Sequence, residues 1–228
     1  MISAGLTQEA RCPFFCVIKA QMLYFRLAYA TLNCIVYVGV RSVMKTILVS
    51  GYRATELGIF SAKHPGIAII KKALTKQISA LVEDGLEWVI ISGGWGVELW
   101  AAEVTIELKK SYESLRLAII TPFLEQEENW NEQKKTTYSE ILSGADYVNS
   151  VSKQKYAGPW QFKARDRFLL DNSDGLLLIY DEEQDGSPRY LLELARAHAE
   201  VTPDYGIITI SGHDLQNIAE EEQFYDYE

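Results

Sequence analysis

Cysteine is scarce and confined to one end of the chain. Of 228 residues only three are cysteine, and Cys12, Cys16 and Cys34 all precede residue 44. The remaining text needs no disulfide, which fits a reducing compartment, so a cytoplasmic protein is expected. Cys12-x-x-x-Cys16 with a lone Cys34 has no histidine beside it, and no zinc site is expected. His64, His198 and His213 lie far apart and make no metal spacing. Positive charge is also short. A net charge of −9 disfavours a general nucleic-acid partner, because gripping phosphates requires a basic surface. A long apolar run is missing as well. Leu27–Val40 falls short of the roughly 20 residues a membrane span needs, and Lys19 and Arg26 interrupt the text before it. The order of basic, apolar and small residues is wrong for a secretory signal. No membrane partner is expected.

What is present is the composition of an ordinary globular domain, 48% apolar and 23% charged. It is not uniform along the chain. Residues 1–43 carry Arg11, Lys19, Arg26 and Arg41 against Glu9, a net of +3, which leaves −12 for the rest. From Met44 the text becomes regular, and "MKTILVSGY" reads as a complete first strand. The expectation is an N-terminal extension over 1–43, outside the fold, and a single domain over 44–228. The acidic, aromatic end "EEEQFYDYE" reads as a solvated tail.

Within 44–228 short apolar runs alternate with helical spacing. The runs are Thr46–Val49, Trp88–Ile91, Leu117–Ile120, Tyr147–Val151, Leu176–Tyr180 and Ile207–Ile210. Between them, Ile70, Ala73, Leu74, Ile78 and Leu81 recur every three or four positions within Ile67–Val82. Val97–Leu108, Tyr138–Leu142, Phe162–Leu170 and Tyr190–Ala199 behave likewise. Continuous apolar strands are buried on both faces, and strands separated by helices must be joined by crossovers. The predicted fold is therefore α/β: a Rossmann-like open, mostly parallel sheet of about six strands with helices on both faces.

In such sheets ligands bind beyond the carboxyl ends of the strands. The stretch "SGGWGVELWAAE", Ser92 to Glu103, places Gly93, Gly94 and Gly96 at a strand end and Glu98 in the first turn of a helix. Glycines there let backbone N–H groups face an anion. A second turn, Ser50-Gly51-Tyr52-Arg53, adds a cation that suits phosphate or carboxylate. A third runs from Tyr180-Asp181 to Gly186-Ser187-Pro188, an ordinary helix start. The three turns share one sheet edge, and a nucleotide-sized ligand would span them. Gly51 and Gly186 also serve as plain turn residues, and Trp95 and Trp100 as packing. Glu98 either complements the helix dipole or accepts hydrogen bonds from sugar hydroxyls, with Gly93–Gly96 and Arg53 handling the charged part.

The familiar nucleotide motifs fail. Gly94-x-Gly96 is followed by Leu99 and lies after the second strand, so the dinucleotide fingerprint is absent and hydride transfer is disfavoured. There is no phosphate loop. Asp181-x-Glu183-x-Asp185-Gly186 echoes a calcium loop, but its twelfth position is Leu192, not an acid, and no metal is expected. No nucleophile–histidine–acid set stands out.

Several stretches together resemble the YpsA family: "SGYRATELGIF", "IISGGWGVELWAAE", "ITPFLEQEENW", "QFKARDRFLLDNSDGLLLIYD" and "GSPRYLLELA". That family is placed in the SLOG superfamily with DprA and the LOG proteins, and the likeness runs from about Met44 to about Leu215. It implies a Rossmann-like sheet and a nucleotide-derivative site. The family's Gly-x-x-Gly-Val-Glu core corresponds to Gly93, Gly96, Val97 and Glu98. Arg165-Asp166-Arg167 leading to Ser173-Asp174 is similar to the superfamily's R-N-R…S-D pattern, which implies a pocket arginine at Arg165; a solvated helix face, with Asp174 capping a strand, is the alternative. The LOG loop P-G-G-x-G-T-x-x-E is replaced by "DEEQDGSPRYLLE", and Glu193 is a poor stand-in for its acid.

The expected function is binding of a nucleotide derivative such as NAD or ADP-ribose, by a sensor or regulator that passes occupancy to a protein partner. A LOG-like hydrolase, cleaving an N-glycosidic or phosphate bond, is the alternative. A single-strand DNA binder is disfavoured by the charge. Trp130, Trp160 and Tyr225 are candidates for contacts between chains, but no oligomeric state follows from them.

Overall fold

A computed structural model describes residues 43–225. The expectations for residues 1–42 and for the last three residues of the acidic tail lie outside them. The six strands are β1 (Thr46–Gly51), β2 (Trp88–Ile91), β3 (Arg116–Thr121), β4 (Tyr147–Ser150), β5 (Gly175–Ile179) and β6 (Gly206–Ile210). The helices are α1 (Pro65–Glu83), α2 (Val97–Leu108), α3 (Glu132–Gly144), α4 (Trp160–Asp171), α5 (Pro188–Val201) and α6 (Gly212–Tyr225). The strands form one sheet in the order β4-β3-β2-β1-β5-β6, and every pair is parallel.

That order dictates where the helices go. The connections from β1 to β4 step in one direction, and right-handed crossovers put α1, α2 and α3 on one face. The chain then returns from β4 past β1 to β5, so α4 and α5 cover the other face. The packing agrees: α1 rests on α2 and on α6, α2 also touches α3, and α4 touches α5. Strand order reverses between β1 and β5, so their carboxyl ends open a crevice at the switch point.

The core explains the apolar runs. Ile47, Leu48, Val49, Val89, Ile90, Ile91 and Leu176–Ile179 are all buried between the two helical layers. At the opposite, amino edge of the sheet, two aspartates close the strand starts. Asp174 Oδ2 accepts the N–H groups of Lys45 and Thr46, each at 2.9 Å. Asp146 Oδ2 accepts that of Leu117 at 2.8 Å and the Lys109 ammonium at 2.5 Å. Asp174 is therefore a strand cap, far from the carboxyl edge.

The expected solvated tail begins within helix α6, which runs through Tyr225 with Glu220 and Glu221 exposed. Its apolar content is thin, with Leu215 and Ile218 packed against the core. What starts it is a reciprocal cap. Ser211 N–H donates to Asp214 Oδ2 at 2.8 Å, and Asp214 N–H donates to Ser211 Oγ at 3.3 Å. Among the described residues no helix is long and apolar enough to cross a membrane.

Candidate functional site

The β2–α2 turn is shaped first by the protein's own backbone. Gly96 has φ 141°, and a Cβ there would lie 2.6 Å from Ala54 N and Tyr52 O. The closeness is used: Val97 N–H donates to Tyr52 O, and Ala54 N–H donates to Trp95 O, each at 3.2 Å. The two loops thus meet main chain to main chain. Gly93, at φ 78°, makes room for Gln126, whose Nε2 donates to Gly93 O at 3.1 Å and to the Tyr138 hydroxyl at 2.9 Å. Burial pushes that hydroxyl up to about 12, despite the Gln126 bond. Gly186 lies against the Tyr52 ring, and Tyr52 Oη donates to Gln184 O at 2.7 Å while accepting Asp181 N–H at 3.2 Å.

Glu98 sits where a ligand anion was expected. Its Oε1 accepts Ser50 Oγ at 2.8 Å. Its Oε2 accepts Ser92 Oγ at 2.5 Å and Gly94 N–H at 2.7 Å. One carboxylate thus ties the ends of β1 and β2 to the first turn of α2, and its charge complements the helix dipole. Arg165 Nη1 donates to Ser92 Oγ at 3.2 Å, while its Nε and Nη2 donate to Asp166 Oδ1 at 2.9 and 2.6 Å. Burial raises the Asp166 carboxyl and the Glu98 charge adds to this, although Arg165 holds it back.

The start of α5 is filled in the same way. Glu56 accepts Ser187 N–H and Ser187 Oγ, both at 2.8 Å, and Arg53 N–H at 2.7 Å. Burial alone would raise the Glu56 carboxyl, but these bonds and the Arg53 charge outweigh it and set it below its usual value.

These groups surround a cavity of about 370 Å³ at the crevice between β1, β2 and β5, a size typical of small-molecule sites. From β1 and its turn come Gly51, Tyr52 and Arg53; from the β2 turn come Ser92, Gly94 and Glu98. Arg165 enters from α4 and Ser187 from α5. Gly93, Gly96, Asp181 and Gly186 stand behind the wall and do not line it. Asp181 instead accepts Gly212 N–H at 3.1 Å, joining the end of β5 to α6. Sequence reasoning missed most of the aromatic lining. Phe123 and Trp130 come from the long loop after β3, Phe162 from α4 and Tyr190 from α5. Trp130 packs edge-on to Trp95 at 5.7 Å, with Lys134 4.9 Å over the Trp95 ring. Phe123 and Phe162 meet at 5.6 Å. The signal for Phe123 and Trp130 was available, since both follow a strand at its carboxyl end.

Comparison with known proteins gives the family. The family model described as the YspA SLOG family, named YpsA, matches residues 47–215. The chain belongs to the YpsA family. UPF0398 proteins of three bacteria are similar to it. That of Brevibacillus brevis is 55% identical, covering 79% of this chain and 95% of the relative. The Lysinibacillus sphaericus protein is 53% identical over 79% and 100% of the two chains. That of Bacillus thuringiensis is 54% identical over 79% and 98%. Among solved structures, DNA processing protein A of Helicobacter pylori, described for its single-stranded DNA binding mode, aligns at TM-score 0.42 and 13% identity, over 78% of this chain and 80% of that one. So distant a likeness carries no argument about the site.

Within the YpsA pattern the structure separates two kinds of residue. Glu98 and Arg165 face the cavity, whereas Gly93, Gly96 and Asp174 hold the frame. Arg167 is exposed on α4. Glu193 is exposed on α5 and paired with Arg189 at 3.0 Å, away from the cavity. His64 caps α1 by accepting Gly66 N–H at 3.1 Å. Trp130 is half-buried, Trp160 is 51% exposed, and the Tyr225 side chain lies outside the described residues.

Two measurements check this construction. Gly96→Ala meets both a strained φ and two main-chain atoms, so it should cost about 3 kcal/mol in urea unfolding. Gly58→Ala, at φ 67° with nothing within 4 Å, should cost only about 1 kcal/mol. Glu56 stabilises the fold above its unfolded value near 4.5, and that contribution is lost as pH falls through its lower folded value. The Glu56→Gln protein should therefore unfold at a lower urea concentration than the natural chain at about pH 7, and the gap should narrow as the pH falls below the unfolded value of 4.5.

Proposed function

We propose that the chain binds a nucleotide derivative of the NAD or ADP-ribose kind and acts as a sensor or regulator, passing occupancy to a protein partner. The observation that carries this reading is the cavity at the strand-order switch point, where aromatic walls flank the Arg165–Ser92–Glu98 hydrogen-bond chain. Phe123, Phe162 and Tyr190 offer faces or edges to a flat base. Asp166 Oδ2 takes part in none of the Arg165 bonds, which leaves an acceptor for a hydroxyl or amino group. Arg53 is exposed at the mouth and has the fixed charge that suits a phosphate. Binding is favoured over catalysis because Glu98 already accepts three hydrogen bonds, and no free acid stands on α5 facing the cavity.

One observation supports hydrolysis as the second reading. Asp166 is raised, chiefly by its burial, and a carboxyl raised in this way can serve as general acid in bond cleavage. The two readings separate in a single experiment. The full chain is incubated with a panel of nucleosides, nucleotides, NAD and ADP-ribose, and thermal shift and product are read together. A shift without turnover is the expected result. Released base or ribose phosphate would transfer the assignment to the hydrolase. No shift with any member of the panel would remove the nucleotide reading altogether. For a ligand that binds, Phe162→Ala should weaken affinity roughly 10- to 100-fold, from about 1–3 kcal/mol of lost stacking.

A further inference from the structure

The cavity has a polarity from floor to rim. Its floor is formed by buried Leu48, Ser50, Ser92 and Leu169, with Glu98 above them. Arg165 and Asp166 enter beside it, with side chains 19% and 18% exposed. The only cation among these floor groups is Arg165, and both of its inner nitrogens are already given to Asp166. Two carboxylates against one bridged guanidinium make the floor a poor place for a further anion. The rim is the reverse: Arg53 is exposed there, and Lys134 is held over Trp95.

The backbone offers little to offset this. In the turns after β1 and β2, the N–H groups of Arg53, Ala54, Gly94 and Val97 already serve Glu56, Trp95 O, Glu98 and Tyr52 O. At the start of α5, Ser187 N–H serves Glu56, and Pro188 has no N–H to offer. Arg189 and Tyr190 donate to Gly186 O and Ser187 O at 3.3 Å. The start of α5 is thus saturated by the chain itself.

Building on the nucleotide reading, we infer that the ligand enters nucleoside-first. The uncharged sugar and base reach the floor, against Asp166, Ser92 and the Phe162 ring, and the phosphate stays at the rim between Arg53 and Lys134. Recognition then resides in the nucleoside, and the phosphate adds a modest, salt-sensitive increment.

Isothermal titration of the full chain tests the order of entry. The probes are adenosine, guanosine, cytidine and uridine, their 5′-monophosphates, ADP-ribose, ribose 5-phosphate and inorganic pyrophosphate. At least one nucleoside should bind within about tenfold of its own monophosphate, a gap of about 1.4 kcal/mol. Arg53→Ala combined with Lys134→Ala should bring that monophosphate down towards its nucleoside. Asp166→Asn should weaken the nucleoside about tenfold. The inference is overturned if a monophosphate or ADP-ribose binds while every nucleoside is more than about a hundredfold weaker. It is also overturned if ribose 5-phosphate or pyrophosphate competes as well as the nucleotide. The nucleotide reading survives each of those results. Only silence from the entire panel removes both.

Discussion

The carboxylate of Glu98 is the tie on which the rest of the site depends. It accepts from Ser50, Ser92 and Gly94, and these donors belong to the ends of the two central strands and to the turn between β2 and α2. Removing the acceptor would leave two hydroxyls and an amide competing for water at the bottom of a crevice, a loss of about 1–3 kcal/mol for each unsatisfied group. Arg165 joins the same set through Ser92, so helix α4, from the far face of the sheet, is registered against the near one. The position of the cavity's polar wall follows from this one side chain, and so does the direction in which Arg165 holds Asp166.

Much of the fold could be read in the text because its four inner strands are buried on both faces. Continuous apolar runs such as Leu176–Ile179 have few alternatives, and the amphipathic spacing of Ile70, Leu74, Ile78 and Leu81 is hard to mistake. Helix α6 was less legible. Its stability depends on two apolar contacts and a Ser211–Asp214 cap, and in a segment so rich in glutamate the apolar period is too weak to stand out. The cap was written in "SGHD", but a cap signature without a periodic run behind it is easily passed over.

The site was legible in place and only partly in kind. Three turns at the carboxyl edge were marked by Gly51, Gly93–Gly96 and Gly186, and the cavity does open among them. The glycines, however, make room for the protein more than for a guest. Gly96 yields to the backbone of Tyr52–Ala54, Gly93 to Gln126 and Gly186 to the Tyr52 ring. A sequence reports that something approaches a glycine and is silent about what. The aromatic walls were hidden for a different reason. Phe123, Trp130, Phe162 and Tyr190 belong to three separate elements, and only the β4–α4–β5 return across the sheet brings them together.

Glu98 and Glu56 share a role that the architecture itself calls for. An open parallel sheet gathers helix amino termini and turn amides at one edge, and that edge is electropositive before any side chain is chosen. Left empty, those donors would hold water or any passing anion. Here a carboxylate from the chain takes part of that role at two helix starts, Glu98 accepting Gly94 N–H at α2 and Glu56 accepting Ser187 N–H at α5. Part of the backbone field that ordinarily attracts phosphate is thus spent internally. What remains for recognition is side-chain chemistry: flat aromatic surfaces, one Asp166 oxygen outside the Arg165 pairing, and cations at the mouth. If it holds the proposed nucleotide, such a pocket selects by shape and hydrogen bonding first and by charge second, the opposite of a phosphate loop on the same kind of sheet.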